Sequence, residues 1–278
     1  MMSRLSKVVK RHPLIWFFVL AYAISWVGLP LYAAGVWPIP FLATGPLIAA
    51  LIVIPITQGR AGLRDLGSRM IRWRVGLKWY VVAIGLPLSV LLVTVGLNVA
   101  LGAGTPSLAG VGSLSTILMV FTVRLINPLN GPMGEEPGWR GFALPGLQAS
   151  RSPLVAALIL APRIAVWHLP LAFVGGMKPL DFLGPIAFTF VATWLFNHTG
   201  GSVLMTLVMH ATEGTIHPSE LWSVGAASAS AQAIYAVVWF AVAIGLVILD
   251  WKFWRGPAPT RATASTVMPP REASPVTP

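Results

Sequence analysis

Long apolar runs separated by short bursts of charge make up most of this chain. Stretches with no charge, or almost none, cover residues 13–34, 36–57, 79–101, 113–126, 153–174, 182–197, 202–216 and 231–249. A helix needs about 20 apolar residues to cross the hydrocarbon core of a bilayer, and most of these runs approach or exceed that length. The first follows a basic segment, Met1 to His12, as a secretory signal would. Its 22 residues are too many for a signal's apolar core and enough to cross the bilayer, so it reads as an uncleaved first span. The fold predicted is all-α: a polytopic transmembrane helical bundle of about eight spans.

Composition agrees. Soluble domains carry about 25% charged residues; here 10% of 278 residues are charged and 56% are hydrophobic. No stretch outside the apolar runs is long enough to fold alone, so residues 1–255 are read as one membrane domain. From 256 to 278 the chain is rich in Pro, Ser, Thr and Ala and is expected to be disordered.

A net charge of +11 points at first to nucleic acid. The cations sit between the apolar runs, however, and do not interleave with aromatic residues on one surface, so a nucleic-acid partner is set aside. Eight spans put both termini on one side of the membrane. Sixteen of the 19 cations then fall on that side, among them the six from Arg60 to Lys78. The other side keeps Lys178, and Arg124 and Arg163 lie within spans. The positive-inside rule therefore makes both termini cytoplasmic, in a multi-pass protein of the cell membrane. No internal repeat is evident, which counts against repeat-built transporter folds. The lack of cysteine excludes disulfides, cysteine-based zinc sites and a cysteine nucleophile.

What remains after the loops are removed is a small set of ionisable groups at membrane depth: Arg124, Glu135, Glu136, Arg140, Arg163, His168, His198, His210 and Glu213. Charge is costly there and asks for a reason. Glu136 and Arg140 are four apart and share a helical face, which suits an ion pair. Glu135 points about 100° away and is free to face something else. The charges alone could be a structural pin between helices. Two span histidines alongside a glutamate pair supply more: a base for water and groups to stabilise an oxyanion, which is what hydrolysis needs. His198 lies in a turn at the membrane edge and reads as interfacial. Glu213, three residues after His210, could orient that imidazole. Zinc suits His and carboxylate ligands, but the His-Glu-x-x-His pattern is absent, and nothing in the spacing decides for or against a metal.

These residues carry a family resemblance. Glu135-Glu136-Pro137-Gly138-Trp139-Arg140 resembles the Glu-Glu-x-x-x-Arg motif of the CPBP family, the CAAX-processing and bacteriocin-processing (Abi) membrane proteases. His168 resembles the histidine of the family's Phe-x-x-x-His motif, and His210 that of its His-x-x-x-Asn/Asp motif. The resemblance implies an intramembrane endopeptidase of eight helices with a catalytic cavity open to the cytoplasm. It implies that Glu135 activates water with His168, that His210 stabilises the oxyanion, and that Glu136 and Arg140 organise the site. No cofactor is required on this reading, while a divalent metal such as zinc stays compatible with the same residues. Two positions depart from the family: Ile164 stands for Phe, and Gly214, with no side chain to donate or accept, stands for Asn/Asp.

The expected substrate is a peptide or membrane protein cut near the cytoplasmic face, and no feature of the sequence marks a prenyl pocket. The alternatives are a non-catalytic immunity or partner-binding scaffold and a proton-coupled transporter. Geometry sets one condition. His168, 15 residues past Pro153, lies roughly 20 Å along its helix, while Glu135 is expected near the cytoplasmic end of span four. The two meet only if the backbone breaks, and 127–132 or Pro162 are the candidates.

Overall fold

Every one of the eight apolar runs contains a helix, and among the described residues there is no strand. The structure is a computed structural model, and it describes residues 4–222 and 225–257. The tail expected to be disordered lies outside the described residues from 258 onward.

Among the described residues six helical stretches are long and apolar enough to cross a membrane: Pro13–Ala33, Gly45–Met70, Leu77–Ala100, Pro153–Phe173, Pro179–His198 and Ala226–Leu249. In chain order the helices are α1 Arg4–Arg11, α2 Pro13–Trp26, α3 Gly28–Ala33, α4 Gly45–Met70, α5 Leu77–Ala100, α6 Leu114–Ile126, α7 Pro132–Gly138, α8 Leu144–Gln148, α9 Pro153–Trp167, α10 Leu169–Phe173, α11 Leu183–His198, α12 Val203–Glu213, α13 Ala226–Leu249 and α14 Trp251–Arg255. Two of the apolar runs give only the short α6 and α12, of 13 and 11 residues. At 1.5 Å per residue these are roughly 20 and 16 Å long, less than the ~30 Å hydrocarbon core.

Local sequence sets the boundaries. Ser113, Ser152 and Ser202 each accept a backbone N–H three residues on, capping α6, α9 and α12. The second run was read as a span from 36, but Pro38 and Pro40 keep its start irregular and helix begins at Gly45. The six-cation segment read as a loop is helical as far as Met70. Gly59, at φ +63°, turns the chain between the apolar and cationic halves of α4.

The bundle has two unlike ends. At one, Trp79 packs its ring against Trp194 and His198, Asp250 pairs with His198, and Ser202 Oγ donates to the Arg72 carbonyl. At the other, Trp26 Nε1 donates to the Trp167 carbonyl, Asn98 Nδ2 to the Ala227 carbonyl, and Ser107 N to the Leu221 carbonyl. The first end collects the cations of 60–78; the connections at the second hold Lys178, Asp181 and Glu220.

Both expected breaks need comment. Between α6 and α7 the chain is non-helical at 127–131, as anticipated, with Gly131 at φ +50°. Pro162 instead sits inside α9, and the second interruption falls at His168, ahead of Pro170 in the first turn of α10. The position of Glu135 differs from expectation. From Pro132 to Gln148 the chain is continuous helix through α7, a π-turn at Trp139–Ala143 and α8, and this run descends to the cationic end. Glu135, near its start, lies towards the opposite end. Gly134 and Gly138 fix that level by letting α7 touch the start of α4: a Cβ on Gly134 would lie 2.6 Å from the Ala43 carbonyl oxygen, and one on Gly138 2.4 Å from that of Pro46.

Candidate active site

The motif segment is buried by aromatic packing. Trp139 is fully enclosed, its ring 5.4 Å from Phe17 and 5.5 Å from Trp167. The π-turn that follows α7 carries Arg140; such turns within helices recur at functional sites.

Glu136 and Arg140 form the expected pair: Nη1 donates to Oε1 at 2.8 Å, with both side chains essentially sealed from solvent. The same Oε1 accepts from His210 Nδ1 at 2.9 Å. Glu136 thus ties α7 to α12, and it, not Glu213, orients the His210 imidazole. Glu213 instead accepts from the Tyr235 hydroxyl at 3.1 Å. Arg140 also lies over the Phe188 ring at 5.5 Å, and that ring packs against His210 at 4.9 Å.

His168 is held from the other side. Its Nδ1 is 2.9 Å from the Ile164 carbonyl oxygen, and its ring sits between Trp167 and Phe41. Ile164, the residue in place of the family's Phe, therefore contributes through its backbone. A carbonyl only accepts, so Nδ1 carries the proton and Nε2 is the free nitrogen of the neutral ring. The Glu136 carboxylate likewise places a proton on His210 Nδ1, and Nε2 of that ring faces away from it.

Glu135, only 6% exposed, faces a cavity of about 430 Å³ that is also lined by Arg140, His168 and His210. All five predicted site residues are thus brought together, with Glu136 behind the wall holding two of the others. Among the described residues no side chain pairs with Glu135. The cavity continues to Asp181, Glu213, His217, Ser219, Gln232 and Tyr235. There Gln232 Nε2 donates to Asp181, and His217 Nδ1 meets Ser219 Oγ at 2.6 Å. Of these residues, Asp181, Ser219, Gln232 and Tyr235 escaped sequence reasoning. The signal for the last two was two polar groups three apart, on one helical face of an otherwise apolar run.

Two other candidates lie elsewhere. His198 is at the cationic end, its Nε2 3.0 Å from Asp250 and its Nδ1 bonded to the Trp194 carbonyl, in keeping with an interfacial part. Arg163 is exposed on the side of the bundle, its guanidinium over Phe18 and bonded to the Ile159 carbonyl.

Among the described residues no three His, Asp or Glu side chains are grouped to hold an ion. Each imidazole has Nδ1 bonded and Nε2 free, and the Glu136 oxygen bonded to His210 is shared with the Arg140 guanidinium.

Two comparisons with known proteins bear on the chain as a whole. Residues 113–216 match the family described as Type II CAAX prenyl endopeptidase Rce1-like, and the match spans all five residues. The CAAX prenyl protease 2 of Methanococcus maripaludis is similar: 23% identical over 223 residues, covering 72% of this chain and 82% of that protein.

Proposed function

We propose that this chain is an intramembrane endopeptidase of the CPBP family, the CAAX-processing membrane proteases to which its matches point, and that its general base is Glu135. The observation that carries this is the shared cavity: Glu135, His168 and His210 line one space, and the buried Glu136–Arg140 pair fixes the third of them.

In the reaction, a water lies between the Glu135 carboxylate and His168 Nε2. Glu135 takes one proton as the water oxygen attacks the scissile carbonyl carbon, while the second water hydrogen stays bonded to His168 Nε2. His210, as an imidazolium with Nδ1–H held by Glu136, donates from its second N–H, on Nε2, to the carbonyl oxygen as negative charge gathers there. Collapse of the tetrahedral intermediate breaks the C–N bond, and Glu135 returns its proton to the departing amine. Each turnover consumes one water and yields one carboxylic acid and one amine. Glu136 and Arg140 hold His210 and do not touch substrate. No metal takes part.

The substrate is a peptide or a segment of a membrane protein. The relative's name is that of a CAAX prenyl protease, and the cavity here is lined by polar and apolar side chains together. On the cation count, both termini are cytoplasmic. Substitution tests the reading. Glu135→Ala and His168→Ala each abolish processing in cells while the protein still accumulates, folded, in membranes. Retained processing in both would remove the peptidase reading and leave a scaffold.

A further inference from the structure

We infer that Arg124 is the counter-charge of the general base: its guanidinium, lodged beside Gly214, holds the Glu135 carboxylate in the direction that the attacking water needs. Arg124 is off the cavity wall and acts through Glu135, which makes it a positioning residue. The inference deepens the peptidase reading and rests on its assignment of Glu135 as base.

Charge balance around the cavity isolates the pair. Arg140 is matched by Glu136, and Glu136 by Arg140 and His210. Glu135 and Glu213 then stand as two carboxylates on one wall, and Glu213 accepts from the neutral Tyr235 hydroxyl. Arg124 is half-buried and forms no ion pair among the described residues. Its Nε is buried without a partner, and Nη1 meets Asn130 Oδ1 at 3.5 Å, beyond the usual range of a hydrogen bond. A charge left unmatched at membrane depth is costly and calls for an opposite one. Its Nη2 fills the place of a side chain on Gly214, the residue after Glu213. The same atom and Glu135 Oε1 border one small space, 3.8 and 3.6 Å from a Cβ built on Gly131.

The backbone break brings these groups together. On an unbroken helix Arg124 and Glu135 would lie roughly 16 Å apart. Instead α6 ends at Ile126 and the chain turns through 127–131, where Asn130 N bonds the Asn127 carbonyl and Leu129 N the Asn127 side chain. Gly134 seats that turn against α7, since a Cβ there would lie 2.5 Å from the Pro128 carbonyl oxygen. The same guanidinium could have a purely structural part, because the C-terminal end of α12 favours a cation. Kinetics separates the two.

The test is hydrolysis by the purified full-length protein in proteoliposomes, with an internally quenched peptide selected from a library for cleavage by the unaltered protein. Arg124→Ala lowers kcat by about 10- to 100-fold and leaves KM within about two-fold. Arg124→Lys keeps most of kcat, and added guanidinium restores part of the rate to Arg124→Ala but none to Glu135→Gln. Should Arg124→Ala fail to fold, Arg124→Gln is read against Arg124→Lys in the same way. A folded Arg124→Ala or Arg124→Gln protein with unchanged kcat overturns the inference and leaves Glu135 as base, as does a loss that neither lysine nor guanidinium relieves. Full hydrolysis by Glu135→Gln, or no peptide cut at all, removes the peptidase reading itself, so the two failures give different results.

Discussion

The guanidinium of Arg124 occupies the space that a side chain on residue 214 would need. A Cβ built on Gly214 would lie 1.8 Å from Nη2 and 2.2 Å from Cζ of Arg124. Gly214 has φ −91° and ψ 8°, angles open to any residue, so the glycine provides room rather than backbone freedom. The position where the family carries Asn or Asp is filled here by a cation from another helix. Arg124 also comes close to the glutamate: a Cβ on Gly131 would be 3.8 Å from its Nη2 and 3.6 Å from Glu135 Oε1.

Gly214→Ala is expected to cost about 1–3 kcal/mol through overpacking. In an Arg124→Ala background the same change should cost close to nothing, because the obstacle has gone. Thermal unfolding of the four proteins in detergent measures this coupling; additive effects would show that Arg124 is not what Gly214 makes room for.

Breaking the buried pair should be severe. Arg140→Met leaves Glu136 sealed from solvent without its cation, and loss of one partner of such a pair costs about 3–5 kcal/mol. Arg140→Lys gives only partial recovery, since an ammonium cannot reproduce the guanidinium fork. Urea titration of the purified variants reads both.

The other histidine–carboxylate pair should matter little. His198 and Asp250 are 27% and 35% exposed on their side chains, and exposed pairs contribute about 1 kcal/mol or less. His198→Ala should keep full hydrolytic activity, since the residue lies at the opposite end from the cavity. A large loss of activity would mean that the site extends to that end.

Chelators should leave hydrolysis unchanged. With no three ligands grouped among the described residues, dialysis against EDTA followed by a rate measurement should return the starting rate. Loss of activity that zinc restores would require a ligand set different from the one described.

The sequence-level reading was strongest where it depended on distances along one helix. Run lengths gave the bundle, and four-residue spacing gave the Glu136–Arg140 pair. It was weakest where partners are far apart in sequence. Glu136 and His210 are 74 residues apart, and Glu213 looked the better partner only because it lies one turn away. The depth of Glu135 was misjudged because hydropathy counts α6 as a whole span, whereas the crossing is made by the run from Pro132 through the π-turn. A cationic helix such as 60–70 and a cationic loop have the same hydropathy, so that segment could not be assigned by composition. Arg124 against Gly214 needed coordinates, since a missing side chain carries no sign of what fills its place.

The central claim is that Glu135 is the base. The most direct test is the hydrolysis rate of purified Glu135→Gln in proteoliposomes, which keeps side-chain size and removes the proton acceptor. General-base catalysis contributes about 10²–10⁴-fold, so the rate should fall by at least about 10²-fold while the melting temperature stays near that of the unaltered protein. A folded Glu135→Gln protein that hydrolyses within a few-fold of the original rate would contradict the account.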